Sequence, residues 1–283
     1  MSVIKSRKKL KPATRKQIDE LKPFLDQIAD QVEQPSYIET DPIQFLYRYE
    51  NREDRLLAGF FAALMAWGRR DIVISKVDDL LGRMGSPPSK FISDFGDADA
   101  DRFTGFKHRT FKPEDMYWLM TLLQSVIHRF GNFEAFWQHC YQLACRLDRE
   151  LISIFHQQFL SQHPETPVRL HKHLADSEKN SSCKRLYLYL RWTVRQNSIV
   201  DTGLMNFMPQ SELMIPLDVH VARHARRFGL LTRTQNDWRA VCELTRVLRR
   251  LNPDDPARYD YALFGAGVME HNIPDRFVLN NEW

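Results

Sequence analysis

Asp218 stands immediately before a run rich in arginine and histidine, VHVARHARRFG, which stops at Gly229. A carboxylate at the start of a helix is favoured in its ionised form, because unpaired backbone N–H groups and the helix dipole stabilise negative charge there. Such a group is either an ordinary N-cap, contributing about 1 kcal/mol, or a stabiliser of positive charge that develops on a bound substrate. Lys184 opens a second basic stretch, in which Lys184, Arg185, Arg191 and Arg195 occur without an acid. A lysine amine becomes a nucleophile once it is deprotonated, and like charge from Arg185 and Arg191 disfavours the ammonium form. In the first turn of a helix it is equally a solvated surface group. His220, Arg223 and Arg227, with His224 and Arg226, give the run after Asp218 either a face that complements phosphates without reading sequence or a solvated face. Cys183, next to Lys184, has no adjacent histidine and reads as packing.

The elements that must position these groups are helical. Apolar residues recur at helical spacing throughout, and alternating β-branched runs with hairpin turns are missing, so the expected fold class is all-α. Residues 53–67 are apolar on nearly every side and predict a central helix. Asp71 is expected to cap the next helix, which Gly85 ends, and the two helices meet at Gly68, Arg69 and Arg70. Pro113 opens a helix to about Phe130, and Asn132 begins one long helix to about Phe159. Ser181 and Ser182 are expected to cap the helix carrying Lys184. A long connection ending at Ile215 and Pro216 precedes Asp218; loops of that length are functional sites or insertions. Further helices are expected from Asn236 to about Leu251 and from Ala257 to His271.

The 283 residues, 43% hydrophobic and 12% aromatic, suffice for one large core or two modest ones. No apolar run approaches the length of a bilayer span, and the basic start lacks an apolar stretch behind it, so neither a membrane span nor a secretory signal is expected. A cytoplasmic monomer is the expectation. Four cysteines without a CxxC pair predict reduced thiols, and ten histidines without a ligand pattern such as HExxH predict no metal and no cofactor. The net charge of +4 is mild. Its distribution says more, because Lys5, Arg7, Lys8, Lys9, Lys11, Arg15 and Lys16 form an acid-free tract that suits a polyanion or a solvated tail.

The segment IPLDVHVARHARRFGL resembles the aspartate-bearing helix start of the helix-hairpin-helix DNA glycosylase superfamily, with Leu217, Asp218, His220, Val221 and Arg223 at the matching positions. Other parts follow in the same order over residues 53–270. LLAGFFAALMAWGRRDIVISKV is similar to the first core helix and its turn, which in endonuclease III-like enzymes carries residues that probe DNA; Gly68, Arg69 and Arg70 fall there. SSCKRLYLYLRW resembles the second helix of the hairpin motif and puts Lys184 on the Schiff-base lysine position. PARYDYALFGAGVMEH resembles the closing helix, without the cluster cysteines. Two features depart from the pattern: Asn180, Ser181 and Ser182 replace the usual Leu-Pro-Gly-Val-Gly hairpin, and the Lys184–Asp218 connection is longer than in endonuclease III-like enzymes, as it also is in archaeal 8-oxoguanine glycosylases. Within the superfamily the chain looks like a bacterial group whose activity is unassigned.

The resemblance implies two packed helical subdomains with a cleft between them. Residues 1–51 would pack with the C-terminal part, 52–197 would form the subdomain ending in the Lys184 helix, and 198–283 the subdomain with the Asp218 helix. It further implies a base-excision DNA glycosylase, with associated abasic-site lyase activity, that acts on a flipped-out damaged base. Lys184 would be the nucleophile and Asp218 the stabiliser of an oxocarbenium-like transition state or the proton acceptor. Arg69, Arg70, Arg185, His220, Arg223 and Arg227 would contact DNA. The alternative of a different class is a catalytically silent module that binds nucleic acid through the same basic face. A small-molecule enzyme on a helical scaffold has no motif behind it.

Overall fold

Helices follow one another through the computed structural model, which describes residues 9–268 and 273–281. Among these residues no strand occurs, only isolated bridges pairing His108 with Phe111 and Ser181 with Asp237. The fold is therefore all-α. Lys5, Arg7 and Lys8 of the basic tract, and Met269 to His271 of the expected closing helix, lie outside the described residues.

Helix α1 (Arg15–Val32) starts with a capping box in which Thr14 and Gln17 satisfy each other's backbone N–H groups. A short α2 (Pro35–Thr40) and a 3₁₀ turn (Pro42–Tyr47) lead into α3 (Arg52–Met65). Asn51 caps α3 by accepting from the N–H groups of Glu53 and Asp54, and everything from Leu56 to Met65 is buried. α3 is thus the central helix that its apolar pattern predicts. It packs against the 3₁₀ turn, α4 (Arg70–Met84), α5 (Pro88–Asp94), α7 (Phe133–Leu147) and α10 (Lys184–Val194). α6 (Pro113–Phe130) lies on α7, which in turn packs on α8 (Leu151–Leu160), and a single turn, α9 (Val168–His171), borders α6.

Three local expectations are corrected. Asp71 does not cap α4: Arg69 occupies the cap position without a side-chain bond, and Asp71 turns back to pair with Arg69 at 2.6 Å. The long helix expected from Asn132 to Phe159 is broken, because Asp148 enters the left-handed region (φ 52°) and its N–H closes on Ala144 and Cys145. The apolar period runs on through Leu147 and Leu151, so periodicity misses a break that three successive charged residues make; Arg149 leaves the helix line to hold Glu178 through two bonds of 2.7 Å. Neither Ser181 nor Ser182 caps α10, since Cys183 holds that position with φ 50° and no side-chain bond.

The connection after α10 is not loose. Thr202 and Met205 donate to the carbonyls of Trp192 and Thr193 at 2.8 and 2.6 Å, and Val200, Met205, Leu213, Ile215 and Leu217 are buried. It delivers the chain to α11 (Val219–Arg227), followed by α12 (Trp238–Leu251) and α13 (Tyr259–Val268). α13 packs between α1 and α11. The approach to α1 is close enough to demand glycine: a Cβ on Gly265 would lie 2.4 Å from Val32 Cγ2.

At the end of α10, Arg195 joins segments far apart in sequence. Its guanidinium bonds Glu33 just after α1, Asp201 in the long connection at 2.9 Å, and Asp255 just before α13 at 2.8 Å, all of them buried. Removing one partner of a buried ion pair costs about 3–5 kcal/mol because the other charge is left uncompensated. Arg195→Ala should therefore lower the unfolding free energy by at least about 3 kcal/mol in a urea titration, and a loss under about 1 kcal/mol, the worth of an exposed pair, would show that water reaches the cluster.

Candidate functional site

The non-local packing described above brings together the two residues singled out for chemistry. Lys184 is the first residue of α10 and Asp218 the N-cap of α11, and Lys184 Nζ lies 3.3 Å from Asp218 Oδ2. The other carboxylate oxygen, Oδ1, accepts from the N–H groups of His220 and Val221 at 2.9 and 2.8 Å. One oxygen thus fixes the helix start while the other faces the amine. The lysine side chain is 34% exposed and the aspartate 16%, so the pair is reachable from solvent but partly screened from it.

Beside Lys184 a cavity of about 380 Å³ opens, lined by Trp67, Lys172, His173, Ser182, Lys184 and Arg185 among others. Trp67 is 48% exposed, with the Arg109 guanidinium 5.8 Å over its ring. His173 is buried, stacked on Phe111 at 3.7 Å, and burial holds its imidazole below the usual histidine range. The turn before Lys184 achieves its shape without glycine: Asn180 (φ 60°) and Cys183 (φ 50°) take the left-handed conformations, and Asn180 is tied through Nδ2 to Asp237. Cys183 is packed inside, as its sequence setting suggests, and burial pushes its thiol up to about 12.

The six candidate contact residues scatter over different roles. Arg69 is exposed at the α3–α4 turn in its pair with Asp71. Arg70 turns inward, bonded to the Tyr37 hydroxyl at 3.0 Å and Asp41 at 3.2 Å and lying 4.6 Å over Phe264. Arg185 donates to the carbonyls of Leu64 and Lys172 at 2.6 and 3.2 Å, which bridges α3 to the cavity wall. His220 and Arg223 are exposed on α11, whereas Arg227 is half-buried at the far end of that helix, where its carbonyl accepts from Leu279. His220 therefore lies near Asp218 and Arg227 does not. Of the aromatic residues near the basic runs, Tyr187 and Trp192 are core. The described residues contain no cluster of three or more groups able to hold a metal, and no helix among them is long and apolar enough to cross a membrane.

The model of one family, described as a protein of unknown function (DUF2400), matches residues 41–269. The chain belongs to that family. No curated protein and no solved structure matches it. The DUF2400 span contains Lys184, Asp218 and the whole cavity lining, and it leaves out Glu33, one of the carboxylates that hold Arg195.

Sequence reasoning missed the polar groups within the DUF2400 span that lie behind the pair. Arg191 is fully buried, pairs with Asp260 and with Asp201 (3.4 Å), and lies 4.1 Å over the Tyr261 ring. Burial pushes the Asp260 carboxyl up to about 7, with Arg191 pulling the other way. The signal was available: an acid amid Tyr259, Tyr261, Ala262 and Leu263 has no solvent-facing stripe to occupy.

Lys184 thus borders the cavity on one side and the Asp218 carboxylate on the other. The capping and pairing roles of Asp218 can be separated. Asp218→Asn retains the cap and should leave the unfolding free energy within about 0.5 kcal/mol, whereas Asp218→Ala should cost about 1 kcal/mol in denaturant titrations. Equal losses in both variants would mean that the ion pair, not the cap, is what Asp218 contributes to stability.

Proposed function

We propose that this chain is a base-excision DNA glycosylase of helix-hairpin-helix type, with abasic-site lyase activity drawn from Lys184. The observation that carries the reading is the 3.3 Å approach of Lys184 Nζ to Asp218 Oδ2 at the start of two helices that are remote in sequence, next to an open cavity. The order of the matching segments along an all-helical chain supports it. Base chemistry in a duplex needs the nucleotide turned out of the stack and its face covered. Trp67, half-exposed at the cavity, and Arg69, exposed on the adjoining turn, would make that contact.

In this reading the uncharged Lys184 amine attacks the sugar carbon C1′ while Asp218 stays ionised. The new C–N bond forms as the glycosidic bond breaks, the departing base takes the bonding electron pair, and the proton that the new ammonium nitrogen then releases passes by way of Asp218 to the base. Positive charge on the sugar ring faces the Asp218 carboxylate, whose position is already fixed by two backbone N–H groups, so little reorganisation is needed. Ring opening gives a Schiff base on Lys184 that leads to strand cleavage. The second reading is a silent nucleic-acid-binding module, favoured by the absence of glycine-lined amides at residues 180–183.

Borohydride trapping on duplexes carrying oxidised, deaminated or alkylated bases separates the two. The expected result is a covalent adduct restricted to one lesion class, abolished by Lys184→Gln while DNA binding stays nearly intact. An adduct that persists in Lys184→Gln would remove Lys184 from the chemistry, and neither adduct nor base release on any lesion would establish the silent module.

A further inference from the structure

His173 lines the cavity beside Lys184 and takes no part in the chemistry described above. It follows α9 and is 2% exposed, with its ring stacked on Phe111 at 3.7 Å. Its Nε2 has no hydrogen-bond partner among the described residues and faces Asp115 Oδ2, in the first turn of α6, at 3.7 Å. Asp115 is itself engaged by donors: Oδ2 accepts from the Lys112 N–H at 2.8 Å, and Oδ1 lies 2.9 Å from Arg169 Nη1 on α9. A carboxylate held in this way meets an imidazole only as an acceptor, which favours the ring proton on Nε2 and leaves Nδ1 with a lone pair. Burial, which holds this ring below the usual histidine range, keeps it uncharged. With Nε2 turned to Asp115 and one face on Phe111, Nδ1 is the polar atom that His173 has left for a guest.

Arg185 lines the same cavity and only donates; its Nη2 bonds the carbonyl of Lys172, the residue before His173, so a fixed donor and a fixed acceptor are neighbours on one wall. The hydroxyls of Thr110, Ser181 and Ser182 rotate to suit either pattern and discriminate little. A ring nitrogen without a hydrogen, as in adenine or cytosine, would set its lone pair against that of Nδ1. Deamination of those bases, and oxidation of a purine at C8, each turn such a nitrogen into an N–H beside a new carbonyl. Alkylation instead puts carbon on the nitrogen and supplies no hydrogen. We propose that the cavity takes the lactam edge of a deaminated or oxidised base, and that His173 is its specificity-determining residue, with Nδ1 accepting the lactam N–H and Arg185 facing the carbonyl. Guanine and thymine carry such an edge undamaged, and what separates them is the cost of extrusion, which is least for a mismatched or damaged base.

The inference rests on reading the cavity as a base pocket, and its test measures recognition apart from catalysis. Duplexes carrying hypoxanthine, uracil or 8-oxoguanine are each compared with the duplex whose lactam nitrogen is methylated, in equilibrium binding to the full chain bearing Lys184→Gln. At least one lesion should bind about tenfold or more tighter than its methylated counterpart, because the methyl group leaves a buried acceptor unpaired. Adding His173→Phe, which keeps a ring stacked on Phe111 but has no acceptor, should bring that ratio close to unity. In parallel, nitrogen NMR of the histidine-labelled wild-type protein should show His173 as the tautomer with its proton on Nε2. Ratios near unity for every lesion overturn the proposal, as does a ratio that His173→Phe leaves intact, or a ring protonated on Nδ1. If the His173→Phe protein does not fold, the ratios with His173 in place and the tautomer decide. Selective binding without a trapped adduct would remove the lyase reading and keep this one, and a trapped adduct confined to alkylated bases would do the reverse.

Discussion

Two guanidinium groups without access to water determine much of this architecture. Arg191 and Arg195 lie one turn apart on α10, and both are at most a few per cent exposed. A buried cation that loses its partners is costly, so each must be surrounded by acids before the core can close. The acids come from Glu33, Asp201, Asp255 and Asp260, which belong to the end of α1, the long connection and the start of α13. Satisfying the two arginines therefore ties the end of α1, the long connection and the start of α13 to the end of α10. Apolar packing alone is nondirectional and would tolerate sliding of α1 along α13; the Gly265 contact with Val32 and the charge cluster allow one register.

The same constraint explains how the long connection serves the site. Asp201 is anchored near its beginning by both arginines and by Tyr261, and Ile215 near its end bonds the Thr245 hydroxyl at 3.1 Å. Between these anchors the backbone returns twice to α10. A segment so pinned delivers Asp218 to the start of α11 at a fixed height relative to the start of α10. The Lys184–Asp218 separation is thus set by contacts at the opposite end of α10, and the pair itself, partly exposed, does not need to supply its own placement.

What was legible in the sequence was what is local. Asp218 before a basic helix ending in glycine, Pro113 at a helix start and the apolar residues 53–67 each announce themselves within a few positions, because capping and core burial depend on neighbours in the chain. The break at Asp148 was hidden because the hydrophobic period survives across it while the backbone does not. Arg70 and Arg185 look like free cations in sequence, and their partners Asp41, Tyr37, Leu64 and Lys172 are supplied by other elements. The approach of Lys184 to Asp218 came into view through the resemblance, since nothing local to either residue points to the other.

The polarity of α10 ties these strands together. Its first residue is a half-exposed lysine facing a cavity, and its last turns carry fully buried arginines, so a single helix spans the passage from solvent to a charge-balanced interior. Lys184 and Arg191 share a face of that helix, and Asp260 answers Arg191 from α13. Apolar side chains of similar volume would hold the core as well or better, but they would remove the directional contacts that tie the long connection, and through it Asp218, to α10.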